Sequence, residues 1–566
     1  MEVHAMTIPP MRYGVVLDTE GVNEWQATVL EHLQESTEAE LVLVVVRSAA
    51  SRRTREASGS VRRRRSFGDR LGARAFHAYT TRLSRPRALR PAGASPWPEA
   101  TGILRVISVR AGRAGITFPP DAVEAIKGHS LDFLLHLGSG TLRGSVLEAA
   151  RLGAWSFHFG DPLLFRGQPP GFWELVDGQP AVGAALLRLN EGPEGAVMLR
   201  KGWFAVAPES YGLTRDRLLL GTAAWPAVVC RAIRLGAAGS EEVSPVATGV
   251  GGTPGMVPLM RFLSRTTAAR VRKYWHHGLR HDDWNIGVID APASALLSSG
   301  SIPTVQWAPG RRGRYAADPL GRTSDGTLDV LYEDYARGLG YASIATRKWT
   351  KAAGWAAPEP ALAIGSHLSY PFLQERDGRL LMLPESQASG HLILYEADRC
   401  EGPWRPVADT GLGGGIADAT LLQHAGRWWL FGARSDRLNP ATELLLWFAD
   451  RPEGPWTEHP LNPVVVDVRS ARPAGPCFIV DGQLYRPAQD CSTGYGDRLA
   501  VKRVVTLTTE RFEEAIECFL EPERDGPYRW GLHTLTAMGD VTLVDGKRWV
   551  WSTAGTVRGI RRRLRR

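Results

Sequence analysis

The sequence predicts a multidomain protein in which a doubly wound α/β domain is followed by an all-β, five-bladed propeller. Three observations predict it. Near-continuous apolar runs flank a helix-patterned segment early in the chain, as buried parallel strands and their crossover helices require. A stretch of Gly, Ala, Ser, Pro and Thr then breaks the pattern at 236–258. Beyond it, short alternating strands carry a tight-turn dipeptide every 50–65 residues or so, a period that suits four-stranded blades. The expected division is 1–235 for the α/β domain, 236–283 for a linker and basic helix, and 284–566 for the propeller.

Composition sets the frame. A chain of 566 residues exceeds what one core holds. Its 43% hydrophobic and 22% charged residues are those of an ordinary globular protein. The start lacks the basic residues and apolar run of a signal peptide. The nearest approach to a membrane span, Leu218 to Ile233, is broken by Gly221, Pro226 and Arg231 and reads as a buried helix. Cys230, Cys400, Cys477, Cys491 and Cys518 include no CxxC pair, which argues for a reducing, cytoplasmic setting and against structural zinc. The net charge of +9 is concentrated in arginines between Arg52 and Arg90 and in a tail ending Arg561-Arg562-Arg563-Leu564-Arg565-Arg566. Such runs suit peripheral contact with an anionic membrane surface. Without interleaved aromatics they suggest no specific nucleic-acid partner.

In the first domain, Arg12–Asp18 and Glu40–Arg47 read as buried strands, with Trp25, Val29, Leu30 and Leu33 at helical spacing between them. An Arg-rich insertion follows at about 50–100, helical from Phe67 to Leu83, and Ile103–Val109 adds a strand. No G-x-G-x-x-G follows the first strand, so nothing supports a nicotinamide or flavin. The stretch Leu131–Gly167 carries the chemistry. It reads as a strand (Leu131–Leu137), the turn Gly138-Ser139-Gly140, and a helix with Val146, Leu147, Ala150 and Leu152 on one face. A second strand (Ala154–Phe159) then passes through His158 to a loop ending in Arg166-Gly167.

This order resembles the catalytic segment of the N10-formyltetrahydrofolate-dependent formyltransferases, which include methionyl-tRNA formyltransferase and the sugar N-formyltransferases. The family pattern is Asn-x-His, a loop ending in Arg-Gly, then a Gly-rich Asp loop. Here the positions read Ser156-Phe157-His158, Arg166-Gly167 and Asn190-Glu191-Gly192-Pro193-Glu194-Gly195. The resemblance implies His158 as the base that takes the amine proton and Glu194 as its orienting carboxylate. Ser156 would donate weakly to the oxyanion where the family has Asn. Arg166, Gly167 and Gly138 would lie beside bound N10-formyltetrahydrofolate. The two replacements leave a second reading, the same fold with the chemistry lost.

Past the linker, Leu259 to Leu279 reads as a basic helix, and His276 to Trp284 as a polar junction whose histidines match no metal motif. Five dipeptides then signal hairpin turns: Asp325-Gly326, Asp377-Gly378, Ala425-Gly426, Asp481-Gly482 and Asp545-Gly546. Glu-Gly-Pro-Trp recurs at Glu401–Trp404 and Glu453–Trp456, on the same edge of successive blades. Eight or nine residues before each hairpin glycine, where the innermost strand begins, stand Asp318, Tyr370, Asp418, Ala474 and Met538.

The arrangement resembles the arabinanase, xylosidase and invertase glycosidases, in which several of these positions are acidic. Asp318 and Asp418 keep the acid. Ala474 stands where that resemblance puts the general acid, which argues against hydrolysis and expects no metal. His367, Arg472, Arg486, Gln489, Tyr495 and His533 join the two aspartates as expected channel residues. Arginine forks there suit phosphate or carboxylate, and the acids suit sugar hydroxyls. The phrases Ala-Asp-Pro, His-Leu-Ser-Tyr-Pro, Arg-Pro-Ala-Gln-Asp and His-Thr-Leu also resemble the propeller region preceding the transferase in plant glucosamine inositolphosphorylceramide transferases, over about the last 280 residues.

The resemblances imply a carbohydrate-active transferase of glycoconjugate assembly with a sugar or sugar-phosphate substrate. On this reading the first domain formylates an amino sugar that the propeller holds. The alternative is a silent first domain beside a propeller that binds or transfers phosphorylated glycans or nucleotide sugars. A glycosidase on Asp318 and Asp418 is the third reading.

Overall fold

The computed structural model describes residues 9–49, 66–93, 97–98, 101–111, 115–165, 167–191, 196–237, 241–243 and 252–551. The expected Arg-rich stretch at 50–65, Arg166, Glu194, most of the linker and the basic tail lie outside the described residues. The chain forms two compact units, Met1–Arg270 and Val271–Arg566. The division falls inside helix Met256–Leu279, within the span read from sequence as linker and basic helix.

The first unit is built on a ten-stranded mixed sheet with helices. Its centre is parallel: Gly102–Ala111, Ala39–Ala49, Met11–Leu17, Phe133–His136 and Ala154–His158 lie side by side in that order. Antiparallel strands Ala181–Leu189, Ala196–Ala205 and Glu241–Val243 extend one edge. Tyr13, Phe133 and Trp155 stack across three neighbouring strands, with ring centroids 5.2 and 4.1 Å apart. The first crossover helix, Glu24–Glu35, opens with a capping box between Asn23 and Gln26 and buries Trp25, Val29, Leu30 and Leu33.

Two expectations here are corrected. The helix expected across Val146 to Leu152 is a single tight turn, Gly144–Glu148, because Gly144 and Gly153 bracket it in left-handed conformation at φ +79° and +76°. The apolar run Leu218 to Ile233 belongs to two helices, Tyr211–Thr222 and Trp225–Arg234, since Pro226 fits only the first turn of the second. No helix of the described residues is long and apolar enough to cross a membrane.

The second unit is a five-bladed β-propeller. Four blades are consecutive meanders whose first strands are Arg314–Ser324, Ser369–Arg376, Ile416–His424 and Phe478–Val480. The fifth closes the ring by pairing strand Arg280–Ile289 with Val541–Trp551, so both ends of the unit share one sheet. Both Glu-Gly-Pro-Trp phrases precede the outermost strand of their blades.

Four of the expected turns are present. Asp325, Asp377, Ala425 and Asp481 have φ of +48° to +51° and are followed by glycines at +73° to +78°, the two left-handed residues of a type I′ turn. The fifth is not a turn. Asp545-Gly546 lies inside strand Val541–Trp551, and the chain reverses instead at Gly539-Asp540. The dipeptide has a different cause there. Asp545 is fully buried, and a side chain at Gly546 would overlap the Trp307 ring.

A bulge begins three of the innermost strands. Asp318 and Pro319 face only Tyr332 across the hairpin, and Tyr370-Pro371 and Asp418-Ala419 repeat this in the next two blades. The first residue of each bulge is left-handed, at φ +52°, +43° and +51°. Non-glycine residues hold that conformation at a cost on the order of 1–3 kcal/mol, typically at functional sites. In the fourth blade Gly475, at φ +134°, passes directly beneath the Leu535 carbonyl. Gly475→Ala should therefore lower stability by about 3 kcal/mol or more in chemical denaturation. A loss below about 0.5 kcal/mol would contradict this packing.

Candidate functional site

Two of the bulges deliver their first residues, Asp318 and Asp418, to one place. A cavity of about 180 Å³ is lined by Asp318, Glu333, Glu385 and Asp418, by Arg472, His367 and His533, and by Trp284, Tyr315 and Tyr495. Sequence reasoning named Asp318, Asp418, Arg472, His367, Tyr495 and His533, and the fold brings these together. Gln489 stands behind Asp418, donating to its Oδ2 at 2.8 Å. Arg486 does not reach the cavity. It is fully buried, forks onto Glu514 at 2.7 and 2.9 Å, and donates to the Ser470 and Ala471 carbonyls. It is a structural cross-brace, and the expectation of a channel residue is corrected.

Three carboxyls were missed. Glu333 and Glu385 stand seven residues beyond the hairpin glycines Gly326 and Gly378, and Gln489 stands seven beyond Gly482. In register, Glu333 faces Ala317 and Glu385 faces Ser369, the residues just before the bulges. Projecting each type I′ turn across its hairpin would have found them. The third is Asp545.

Asp545 organises one wall. Its Oδ1 accepts the backbone N–H of His533 and of Thr534, each at 3.0 Å, and its Oδ2 accepts that of Asp318 at 3.1 Å. His533 lies between two carboxylates, with Nδ1 2.6 Å from Asp545 Oδ2 and Nε2 3.2 Å from Asp318 Oδ1. Burial disfavours the imidazolium, but the Asp545 and Asp318 charges outweigh it and raise the His533 pKa. Burial likewise opposes the Asp545 charge, and His533 overcomes it, so this carboxyl is held below its ordinary value. Asp318, His533 and Asp545 each bring an atom of metal-ligand type within 4.8 Å of the others. Both ring nitrogens already face carboxylates, so the geometry is that of an ion triad.

The opposite wall differs. Asp418 accepts Arg472 Nε at 2.5 Å and Nη2 at 3.3 Å, and Arg472 also lies over the Tyr495 ring. Glu385 accepts the Asp418 N–H at 3.2 Å. Burial and then the Asp418 charge push Glu385 up to about 8. Burial and the Asp318 charge push Glu333, which accepts the Tyr315 hydroxyl at 3.1 Å, well above its ordinary range. Burial lifts Asp318 to about 6 against the pull of His533. His367 Nδ1 accepts the Ala342 N–H, which leaves its Nε2 to carry the proton, 4.0 Å from Glu333. The cavity therefore holds two carboxyls, Glu333 and Glu385, that keep a proton near neutral pH, beside the Asp418–Arg472 pair and the His533 triad.

In the first unit, Ser156 and His158 lie two apart on strand Ala154–His158 and so share a face. His158 Nε2 is 2.9 Å from the Phe165 carbonyl oxygen, and burial lowers its pKa. Gly167, at φ +71°, passes so close that a Cβ there would sit 3.0 Å from the ring. Gly138 leaves room for Asp18 and His136. Asp18 accepts the next N–H, of Ser139, at 2.9 Å and pairs with Arg47. Glu174 was not anticipated from sequence; it is buried and pushed up to about 8.

Comparisons with known proteins fall on the propeller. Residues 306–555 match the family "Glucosamine inositolphosphorylceramide transferase 1, N-terminal". Glucosamine inositolphosphorylceramide transferase 1 of Oryza sativa subsp. japonica is 31% identical over 248 residues, covering 41% of this chain and 33% of that protein. Its Arabidopsis thaliana counterpart is 32% identical over 248 residues, covering 41% and 32%. The match thus spans about a third of the length of these curated relatives. Among solved structures, a family 117 glycoside hydrolase of Zobellia galactanivorans aligns at 15% identity and TM-score 0.31, over 42% of this chain and 87% of that one. A GH43_1 enzyme of Xanthomonas citri aligns at 15% identity and TM-score 0.32, over 44% and 92%.

The His533 and Glu385 titrations share a sign, and that of Asp545 opposes them. His533, with its raised pKa, contributes stability that is complete below about 6.5 and lost as pH rises through its folded value. Glu385 is protonated more readily when folded, so stability also falls as pH rises from its ordinary 4.5 toward about 8. Asp545 adds stability above its ordinary 3.8 that is lost on acidification. Thermal unfolding should therefore show a stability maximum near pH 5 and a decline to pH 8. Glu385→Gln should flatten that decline by on the order of a few kcal/mol. Identical pH profiles for the two proteins would contradict the assignment.

Proposed function

We propose that this chain is a carbohydrate-active protein of glycoconjugate assembly whose propeller cavity receives an amino-sugar residue. The observation that carries the reading is the cavity itself. It is sized for one sugar ring, and its four carboxyls face one arginine that Asp418 already neutralises. Protonated Glu333 and Glu385 suit sugar hydroxyls, and the one negative charge left over where Asp318 and Asp545 share His533 suits an ammonium group. The relatives matching this region carry the name glucosamine inositolphosphorylceramide transferase 1, which agrees with an amino-sugar substrate. Glu385 holding its proton to about 8 could serve as a general acid toward a leaving or attacking oxygen at neutral pH.

Calorimetric titration of the full chain with glucosamine, N-acetylglucosamine and glucose tests this. Glucosamine should bind in the micromolar to low-millimolar range, at least about five-fold more tightly than the two neutral sugars. Asp418→Asn and Glu385→Gln should each weaken it about ten-fold. Equal affinity for all three sugars, or no effect of either substitution, would overturn the reading.

A second reading concerns the first unit. His158 lies at the carboxyl end of a strand in a parallel array, where open α/β sheets take ligands, and Gly167 closes against it. Bound N10-formyltetrahydrofolate would supply the formyl carbon. His158 would take the proton from the attacking amine, and Ser156 would donate from the same face. His158→Ala should reduce transfer of labelled formyl from this folate to glucosamine by about 10²-fold or more. A folded wild-type protein that neither binds the folate nor transfers formyl leaves the silent-domain alternative standing.

A further inference from the structure

Beside the sugar cavity lies a larger one of about 450 Å³, and the two share Trp284 and Tyr315 as lining residues. Six arginines line the larger cavity: Arg311, Arg312, Arg314, Arg337, Arg347 and Arg548. Only two carboxylates, Asp283 and Asp334, accompany them. Each is shared. Asp334 accepts Arg311 at 2.9 Å and Arg314 at 2.7 and 2.8 Å, while Asp283 accepts Arg337 at 2.7 Å and Arg548 at 2.9 Å. Four guanidiniums thus share two negative charges.

Arg347 has no such relief. It is 5% exposed and lies below the Tyr332 ring; its Nη1 donates to the Pro309 carbonyl at 3.1 Å, and its Nε finds no acceptor among the described residues. A buried guanidinium with an unused donor is expensive unless something anionic completes it. The field is felt at the rim, where burial and then the Arg337 charge hold His281 below its ordinary value. By contrast, the arginines that sequence reasoning offered for phosphate are already paired, Arg472 with Asp418 and Arg486 with Glu514. The free positive charge is next door.

We propose that the arginine cavity is a phosphate site, which takes the phosphoryl oxyanion of a phosphorylated sugar or of a glycolipid head group. The sugar of that same substrate occupies the carboxyl cavity. The inference rests on the amino-sugar reading for the placement of the sugar, not for the anion. Several guanidinium forks around one cavity match the dispersed oxygens of a phosphate better than point charges would. Shared walls at Trp284 and Tyr315 set the two groups one residue apart.

The test is calorimetric titration of the full chain with inorganic phosphate and with glucose 1-phosphate. Cosedimentation with phosphatidylcholine vesicles, with and without phosphatidylinositol, distinguishes the sources. Glucose 1-phosphate should bind about ten-fold more tightly than either glucose or inorganic phosphate alone. The double variant R311A/R312A changes two exposed residues and keeps the fold, and it should weaken both phosphate ligands about ten-fold. Arg347→Lys keeps the charge, loses the fork and should weaken them about five-fold.

Cosedimentation that requires phosphatidylinositol and fails in R311A/R312A assigns a lipid phosphate. Glucose 1-phosphate binding without cosedimentation assigns a soluble one. Both support the site. Phosphate that does not bind, or binds equally to the wild type and both arginine variants, overturns it, as does phosphate displaced competitively by glucosamine. If glucosamine fails to bind while phosphate still depends on these arginines, the amino-sugar reading falls and the phosphate site stands.

Discussion

The propeller site hangs on one buried carboxylate. Asp545 sits in the closing strand of the ring, yet its oxygens hold backbone groups of the His533 loop and of the first blade's innermost strand. Three backbone donors and an imidazole satisfy it, which is what lets a charge persist at full burial. The same contacts fix where His533 and Asp318 stand. Ring closure and site geometry are therefore one interaction: strand pairing between Arg280–Ile289 and Val541–Trp551 supplies the joint, and Asp545 transmits it inward.

The remaining geometry comes from repetition with variation. Three blades use the same left-handed bulge, and its first residue alternates between carboxylate, phenol and carboxylate: Asp318, Tyr370 and Asp418. Asp318 accepts the Tyr370 N–H at 3.1 Å, and the Tyr370 hydroxyl meets the Thr420 hydroxyl at 2.7 Å, so each strained residue is braced by the next blade. The strain is thus supported from both sides. The consequence is electrostatic. Carboxyls crowd into a space with one arginine and two histidines for company, and burial resolves the crowding by keeping protons on Glu333 and Glu385. The arginines that are not matched one to one by a carboxylate gather in its neighbour.

Much of this was legible in the sequence because the signals are local. Asp-Gly between alternating strands has a short-range cause, and four of five such dipeptides are type I′ turns. Asp545-Gly546 looked the same for unrelated reasons, a satisfied buried charge and a glycine under Trp307, which no local pattern distinguishes. Asp318 and Asp418 were found from their distance to the turns. Glu333 and Glu385 lie at a fixed distance on the far side of the same turns and needed the pairing register as well. Arg486 was misplaced because its strand position allows either face, and only Glu514, 28 residues on, settles which. The arginine cavity was invisible for the same reason: Arg311 and Arg312 precede the first blade, Arg314 and Arg347 lie on its strands, and Arg548 belongs to the last strand.

The claim on which the account turns is that this cavity holds neutral carboxyls at neutral pH. Infrared difference spectroscopy of the full chain, wild type against Glu385→Gln, reads it directly. At pH 7 the wild type should show a protonated-carboxyl carbonyl stretch that the variant lacks and that disappears on raising the pH above about 8. A spectrum in which every carboxyl is already ionised at pH 7 would contradict the account, leaving a cavity held by ion pairs alone.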